Sequence, residues 1–302
     1  MFLTIERRFI AISSEIINVV LPVFLIASIG YLFGKRKKID LSSVNDFVIY
    51  LATPALIISS LSKDKIEISL AGTLFISVCI IIGVSSIIGY LTVKKLNLPI
   101  KVYLPPILFA NTGNMGLPLI LFAFGETGFY VGILYMVSTT ILHYTIGIMI
   151  LNYDKSPLEI FKLPLVYSAV AGVVLSVSEV EIPTALFRAV DLLGEASIPT
   201  MIFALGYKLS EVRLTHVGRS FLIGGMRILV GVMLGIFVVW VFKLDGVAAK
   251  VVILQSAMPP AIFNFVLAEK YNQDSKTVAS IILAGTILSI ITTPIILSFL
   301  MK

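Results

Sequence analysis

The stretch LPPILFANTGNMGLPLILFAFG, residues 104–125, is apolar and long enough to cross a membrane, but its centre does not suit a regular helix. Within residues 111–118, Gly113 suits a left-handed helix end and Pro118 suits the first turn of a following helix. The sequence therefore predicts two half-helices with an unwound joint at mid-membrane. Such a joint must line protein or a water-filled cavity, and the second half-helix would offer its N–H groups to an anion. A Gly/Pro kink that aids helix packing is the alternative.

The whole chain has the composition of a polytopic α-helical membrane protein. Of its 302 residues, 58% are hydrophobic and 13% charged, and the mean hydropathy is +1.04. The first apolar segment, residues 16–34, is too long for a signal-peptide core and ends in four basic residues. The single cysteine, Cys79, excludes an internal disulfide and a cysteine metal cluster.

We expect an all-α fold of ten transmembrane helices. They lie at about 16–34, 44–62, 68–93, 102–124, 128–151, 164–178, 184–208, 217–242, 247–268 and 276–301. Loops after the odd-numbered spans hold 14 Lys and Arg residues, and the opposite side, termini included, holds 7. The positive-inside rule then places both termini outside, in a multi-pass protein of the plasma or inner membrane. These loops account for the net charge of +6, so a lipid bilayer and no nucleic acid is the expected partner.

Matching residues at matching spacings indicate an internal duplication. The pairs are Pro22 and Gly30 with Pro164 and Gly172, Asp46 and Pro54 with Asp191 and Pro199, and Pro105-Pro106 with Pro259-Pro260. Each half, 1–152 and 153–302, holds five spans, so the second is inserted upside down relative to the first. Inverted repeats typically serve alternating access around a midplane site, which a receptor or a membrane-embedded enzyme would not need.

Substrate-binding candidates lie in spans four and nine, which the duplication relates. They are Asn111, Thr112, Gly113, Asn114, Gly116 and Pro118, together with Gln255, Pro259, Pro260 and Asn264. Neutral amides can contact a carboxylate without burying a permanent charge, although interhelical hydrogen bonding is the alternative. The sequence contains no hydrolase, phosphate-loop or zinc motif, so we expect no catalytic residue, cofactor or metal.

Ionisable residues inside spans are costly in lipid and are therefore candidates for ion or proton coupling. They are Asp46, Asp191, Glu195, Arg227 and His143. A cation/proton exchanger that uses the three carboxylates is the alternative function. Against it, Asp46 suits an interfacial position, Asp191 suits a structural pair with Arg188, and His143 suits a packed core. Arg227 would hold a substrate carboxylate or neutralise Glu195.

Residues 111–118 resemble the signature of the auxin efflux carrier family, which includes plant PIN carriers and prokaryotic malate or malonate permease-like proteins. Residues 257–272 are similar to the ninth span of that family. The resemblance implies crossed, broken helices four and nine in a transport domain of spans 3–5 and 8–10, beside a scaffold of spans 1, 2, 6 and 7. It implies secondary active or facilitative transport of small organic anions, such as dicarboxylates or auxin-like acids, and leaves open a homodimer. Two features depart from the plant pattern: Asn264 replaces a proline, and the long cytoplasmic loop is absent.

Overall fold

The computed structural model describes residues 2–63, 67–152, 164–178, 180 and 182–301, with side chains from residue 14 onward. Within these ranges regular structure is helical, and a single bridge between Ala110 and Pro260 pairs extended backbone. The helices are α1 (Phe2–Arg36), α2 (Ser42–Phe47), α3 (Thr53–Lys63), α4 (Ile68–Lys95), α5 (Ile100–Leu108), α6 (Leu117–Leu142), α7 (Ile148–Leu151), α8 (Pro164–Ser178), α9 (Thr184–Glu195), α10 (Ser197–Glu211), α11 (Val217–Phe242), α12 (Gly246–Ser256), α13 (Phe263–Lys270) and α14 (Ser275–Leu300). Turns of π-helix lie at Val48–Ala52, Thr112–Gly116 and His143–Gly147.

Seven helical segments of the described chain are long and apolar enough to cross a membrane. They are Ser14–Arg36, Ser42–Lys63, Ile68–Lys95, Thr112–Leu151, Thr184–Glu211, Val217–Phe242 and Ser275–Leu300. This confirms the prediction of an all-helical, multi-pass membrane protein. The sequence predicted ten spans. The count differs because the fourth and fifth share one long segment, while the sixth and ninth coincide with the shorter apolar helices α8 and α12.

Gly125 divides the longest of these segments. Its φ of 64° and ψ of −162° are open to glycine and strained for other residues, so the helical path changes direction there. The half of α6 before Gly125 continues span four, and the half after it begins span five.

The fourth span is interrupted between α5 and α6. Phe109 is extended, with φ −104° and ψ 116°, and a π-helical turn from Thr112 to Gly116 leads into α6. Pro118 occupies the first turn of α6, as predicted. The predicted left-handed helix end at Gly113 is wrong, because Gly113 lies inside the π turn and its φ is not positive.

The ninth span is interrupted between α12 and α13, where Pro259 and Pro260 supply no N–H groups for a helix. This break pairs with the break in span four through two reciprocal backbone hydrogen bonds. The N–H of Asn111 donates to the carbonyl of Pro259 at 2.8 Å, and the N–H of Ala261 donates to the carbonyl of Phe109 at 2.9 Å. Each unwound segment therefore satisfies backbone groups of the other. Because this pairing begins at Phe109, α5 ends at Leu108, before the joint that the sequence predicts within residues 111–118.

Close helix pairs surround this junction. A Cβ on Gly206 of α10 would lie 1.8 Å from the carbonyl oxygen of Ala27 in α1, and a Cβ on Gly30 would lie 2.2 Å from that of Phe203. Gly172 of α8 similarly faces Leu61 of α3. The lack of a side chain at these glycines thus allows the main chain of α1 to pack closely against α10, and that of α8 against α3.

Helices α4 and α11 end in the same way. Asn97 and Lys243, which follow them, both have a φ of 51°. The N–H of Leu98 donates to the carbonyl of Val93 at 2.9 Å, and that of Leu244 donates to the carbonyl of Val239 at 3.0 Å. Both ends are Schellman motifs, in which a left-handed residue lets the next N–H reach an otherwise unpaired carbonyl.

Candidate functional site

A cavity of about 180 Å³ adjoins the paired breaks. One wall is the run Asn111, Thr112, Gly113 and Asn114, and the span that follows Gly125 supplies the opposite wall. Val48, Thr53, Met201 and residues 261–263 of the second break close it. None of the described residues in its wall is Lys, Arg, Asp or Glu, so this part of the wall is electrically neutral apart from backbone dipoles.

Asn111 lines this cavity and carries an unused donor. Its backbone is committed, because its N–H bonds Pro259 and its carbonyl accepts the N–H of Gly116 at 3.0 Å. Its side chain is 4% exposed, and the Nδ2 group has no hydrogen-bond partner in the described part of the chain. A buried amide donor without an acceptor costs about 1–3 kcal/mol, and an acceptor that reached this group from the cavity would relieve that cost.

The backbone beside Asn111 offers further donors. Thr112–Gly116 opens the second half-helix, and the first N–H groups of a helix have no acceptor within it. The N–H of Thr112 donates to the carbonyl of Ala110 at 2.9 Å, so the donors of this turn are those that follow it. Gly113 lines the cavity without a side chain, and a Cβ there would meet only the Met136 sulfur, at 3.4 Å. The backbone is therefore open to a ligand at the positive end of the helix dipole.

Asn264 and His143 form a buried pair. The ring of His143 stacks on Phe109, with centroids 3.9 Å apart and planes at 6°, and its Nε2 lies 3.0 Å from Oδ1 of Asn264. Because this oxygen only accepts, Nε2 carries the proton in this contact. The Nδ2 group of Asn264 donates to the carbonyl of Ala261 at 3.0 Å. Asn264 therefore stabilises the second break through its hydrogen bonds, whereas the His143 ring lines the cavity.

Gln255 and Gly116 hold the second half-helix against α12. Gln255 is fully buried, and a Cβ on Gly116 would lie 2.2 Å from its Oε1 atom. Neither residue lines the cavity, nor do Pro118, Pro259 and Pro260. The ten predicted binding residues thus divide into a cavity-facing run at 111–114 and a set that supports the breaks.

The predicted ion-coupling carboxylates lie away from the cavity. Asp46 and Glu195 are exposed, and Asp191 pairs with Lys63 at 3.2 Å. Arg227 is buried and donates to backbone carbonyls; within the described residues no ion pair joins it to Glu195. Of the predicted coupling residues, only His143 lies at the site.

Sequence reasoning missed three polar residues of the opposite wall, Thr139, Thr140 and Tyr144. The two threonine hydroxyls donate to backbone carbonyls one turn earlier, at 3.0 and 2.8 Å. The remaining capacity of these two hydroxyls toward a ligand is as acceptors. The available signal was the pair of adjacent threonines one turn before His143.

A second cavity, of about 300 Å³, lies next to the first. It has apolar walls and carries Lys208, Arg213 and Lys276 against one acid, Glu211. Ile262 lines both cavities and separates them.

Comparison with known proteins places the chain in a family. A family model described as membrane transport protein matches residues 15–162 and 153–297. An uncharacterized transporter of Methanothermobacter thermautotrophicus is 27% identical over 290 residues, covering 91% of this chain and 95% of the relative. A putative malonate transporter of Rhizobium meliloti is 24% identical over 304 residues, covering 92% and 94%. Auxin efflux carrier component 1 of Arabidopsis thaliana is 24% identical over 139 residues, covering 44% of this chain and 22% of the relative. The predicted resemblance is confirmed, the relatives are transporters rather than enzymes, and the chain belongs to the auxin efflux carrier family of membrane transport proteins.

Proposed function

We propose that this protein is a carrier of small organic anions, which bind in the central cavity between the Asn111 side chain and the start of the second half-helix. The observation that carries the proposal is the buried Nδ2 group of Asn111, a donor with no partner among the described residues. Beside it, the open backbone at Gly113 supplies N–H groups at the positive end of a helix. A carboxylate accepts from both.

The chemistry of the cavity wall favours an anion over a cation. Proteins that bind divalent cations usually supply carboxylate ligands, and the described wall has no carboxylate. The carboxylates on which a cation/proton exchanger would depend, Asp46, Asp191 and Glu195, are exposed or paired with Lys63. Proton release from the protein on addition of sodium would favour the exchanger.

The size of the cavity favours a short acid. Its volume of about 180 Å³ is below the roughly 300–1,000 Å³ of sites for drug-sized ligands. A dicarboxylate such as malonate, the substrate class named for the Rhizobium meliloti relative, suits that volume.

Paired local features support an inverted repeat of two five-helix halves, with helices four and nine broken and crossed at their bridge. Gly30 and Gly172 both face a close helix neighbour, 142 positions apart. Asn97 and Lys243 end α4 and α11 in the same motif, 146 positions apart, and the bridge joins Ala110 to Pro260, 150 positions apart. The offsets increase along the chain, as small insertions in a duplication require. Pro105 and Pro106 lie inside α5, however, so they do not correspond to Pro259 and Pro260 in the break.

Alternating access then provides the transport mechanism. Movement of spans 3–5 and 8–10 against spans 1, 2, 6 and 7 would open the central cavity first to one side and then to the other. The basic second cavity, separated from the first by Ile262, is the approach from the side rich in Lys and Arg, which the positive-inside rule makes cytoplasmic. Both termini then lie outside the cell membrane, and an existing gradient drives the flux.

The test is uptake of labelled malonate by proteoliposomes that contain the purified protein, with competition by other carboxylic acids. In the variant Gly113→Leu, four additional carbon atoms occupy the cavity, and uptake should fall at least about tenfold because the substrate position is filled. Gly113 has no positive φ, so leucine fits the backbone there.

Gly83→Leu is the matched control. Gly83 lies in α4, and a Cβ added there would have no neighbouring atom within 4 Å, so the same substitution adds the same apolar group on an open helix surface. Normal uptake by Gly113→Leu would remove the binding site from this cavity. A wild-type protein that moves no carboxylic acid would contradict the carrier function itself.

A further inference from the structure

Arg227, in α11, joins the ends of both helices that precede the breaks. Its Nη1 group donates to the carbonyls of Ile107 at 3.0 Å and Leu108 at 3.1 Å, the last two residues of α5. Its Nη2 group donates to the carbonyl of Ser256, the last residue of α12. The side chain is 1% exposed, so one guanidinium lies inside the protein between two helix C-termini.

The surrounding packing is built for this contact. A Cβ on Gly231, one turn after Arg227, would lie 1.8 Å from the Ser256 oxygen and 2.6 Å from the guanidinium. Only glycine at this position lets the end of α12 approach α11 closely enough to accept from the arginine. Within the described residues, no acidic side chain forms an ion pair with Arg227.

The guanidinium of Arg227 lies beside helix ends that carry partial negative charge. A helix C-terminus carries about half a negative charge and a helix N-terminus about half a positive charge. The ends of α5 and α12 together present roughly one negative charge, and the guanidinium offsets it. The N-termini of the two second half-helices, near Thr112 and Phe263, carry partial positive charges that Arg227 does not neutralise. Without the arginine, the four helix ends would nearly cancel.

We propose that Arg227 is a positioning residue that neutralises both helix C-termini at the paired breaks and so gives the central cavity its preference for anions. This inference rests on the proposed carrier function and extends it. Arg227 does not line the cavity, so it acts on the substrate through the helix ends that it holds.

The test compares malonate, with two negative charges, and acetate, with one, as labelled substrates in proteoliposomes. The variant Arg227→Met removes the charge at similar length, and Arg227→Lys retains it. Uptake of each acid is measured at concentrations well below saturation, and the readout is the malonate-to-acetate ratio. A loss of folded protein lowers both rates equally and leaves this ratio unchanged.

If Arg227 sets the charge preference, the ratio should fall at least about fivefold in Arg227→Met and stay within about twofold of wild type in Arg227→Lys. An unchanged ratio in Arg227→Met, with only lower total uptake, would overturn the electrostatic role and leave the carrier function intact. If Arg227→Met cannot be purified, Arg227→Gln, which also removes the charge, takes its place with the same two outcomes. Wild-type protein without flux of either acid would overturn the carrier function, and the charge preference with it.

Discussion

Replacing Asn111 with alanine should lower the affinity for substrate without lowering stability. In the unloaded protein the Nδ2 donor is buried and has no acceptor among the described residues, so alanine removes a penalty of about 1–3 kcal/mol. The loss of a small side chain beside an existing cavity opposes this gain, and the net change in the free energy of unfolding should be near zero or favourable. In the loaded protein, alanine removes a hydrogen bond to a charged group, worth about 1.5–3 kcal/mol. The affinity should therefore fall about 10- to 150-fold.

Two measurements on the same preparations separate these effects. Thermal unfolding in detergent without ligand reports stability, and the concentration dependence of malonate uptake in proteoliposomes reports affinity. Asn18→Ala serves as the matched control, because Asn18 is an exposed asparagine on α1, remote from the cavity wall. It should match wild type in both measurements.

The opposite pattern would refute the reasoning. A half-saturation concentration within about twofold of wild type would show that Nδ2 does not contact the substrate. A clear drop in melting temperature without ligand would show that the amide has a structural partner in the unloaded protein.

Three further predictions concern packing, pH and the approach to the site. Gly206→Ala forces a methyl group against a backbone carbonyl of α1 and should destabilise the protein by about 1–3 kcal/mol in a detergent melt, while Gly72→Ala, on an open surface of α4, should not. A hydrogen bond from the Thr277 hydroxyl is the main cause that holds the pKa of Asp274 below its usual range, so this cap stabilises α14 at neutral pH and is lost as the pH falls through that lowered pKa. The free energy of unfolding of Asp274→Ala should thus be about 0.5–1 kcal/mol lower than that of wild type at pH 7, and the difference should vanish in acid. Arg213→Glu should slow malonate uptake several-fold at low ionic strength and much less at high salt; an equal effect at both would exclude steering by charge.

The sequence predicted the parts of this fold that depend on local chemistry. The run from Asn111 to Pro118 was recognisable as an interruption, since Gly and Pro are poor helix formers, and the cavity-facing residues lie at its start. The exact end of α5 was not predictable, because it depends on hydrogen bonds to Pro259 and Ala261, more than 140 positions along the chain. Long-range backbone pairing of this kind has no periodicity and requires no particular side chain.

The same reason explains why Asn264 and Arg227 were assigned other roles. From the sequence, a polar residue in an apolar span is predicted to face substrate or a carboxylate, since those are the partners that a sequence displays. Their actual acceptors are mostly main-chain carbonyls, of Ala261 for Asn264 and of three helix-terminal residues for Arg227. Any residue type provides such a carbonyl, and only the ends of helices leave one free.

Asn111 differs from these two residues in a way that connects the fold to the function. A broken helix inside a membrane exposes both donors and acceptors, and both must be satisfied. At this junction the main-chain acceptors described above are used: the carbonyls of Ile107, Leu108 and Ser256 accept from Arg227, and those of Phe109 and Pro259 accept from the opposite break. The donors are not all used: the Nδ2 group of Asn111 has no partner among the described residues, and the described wall of the cavity that Asn111 and Gly113 line has no carboxylate. At Asn111 the fold thus leaves a donor without an acceptor beside the cavity, and an incoming carboxylate is a ligand that supplies one.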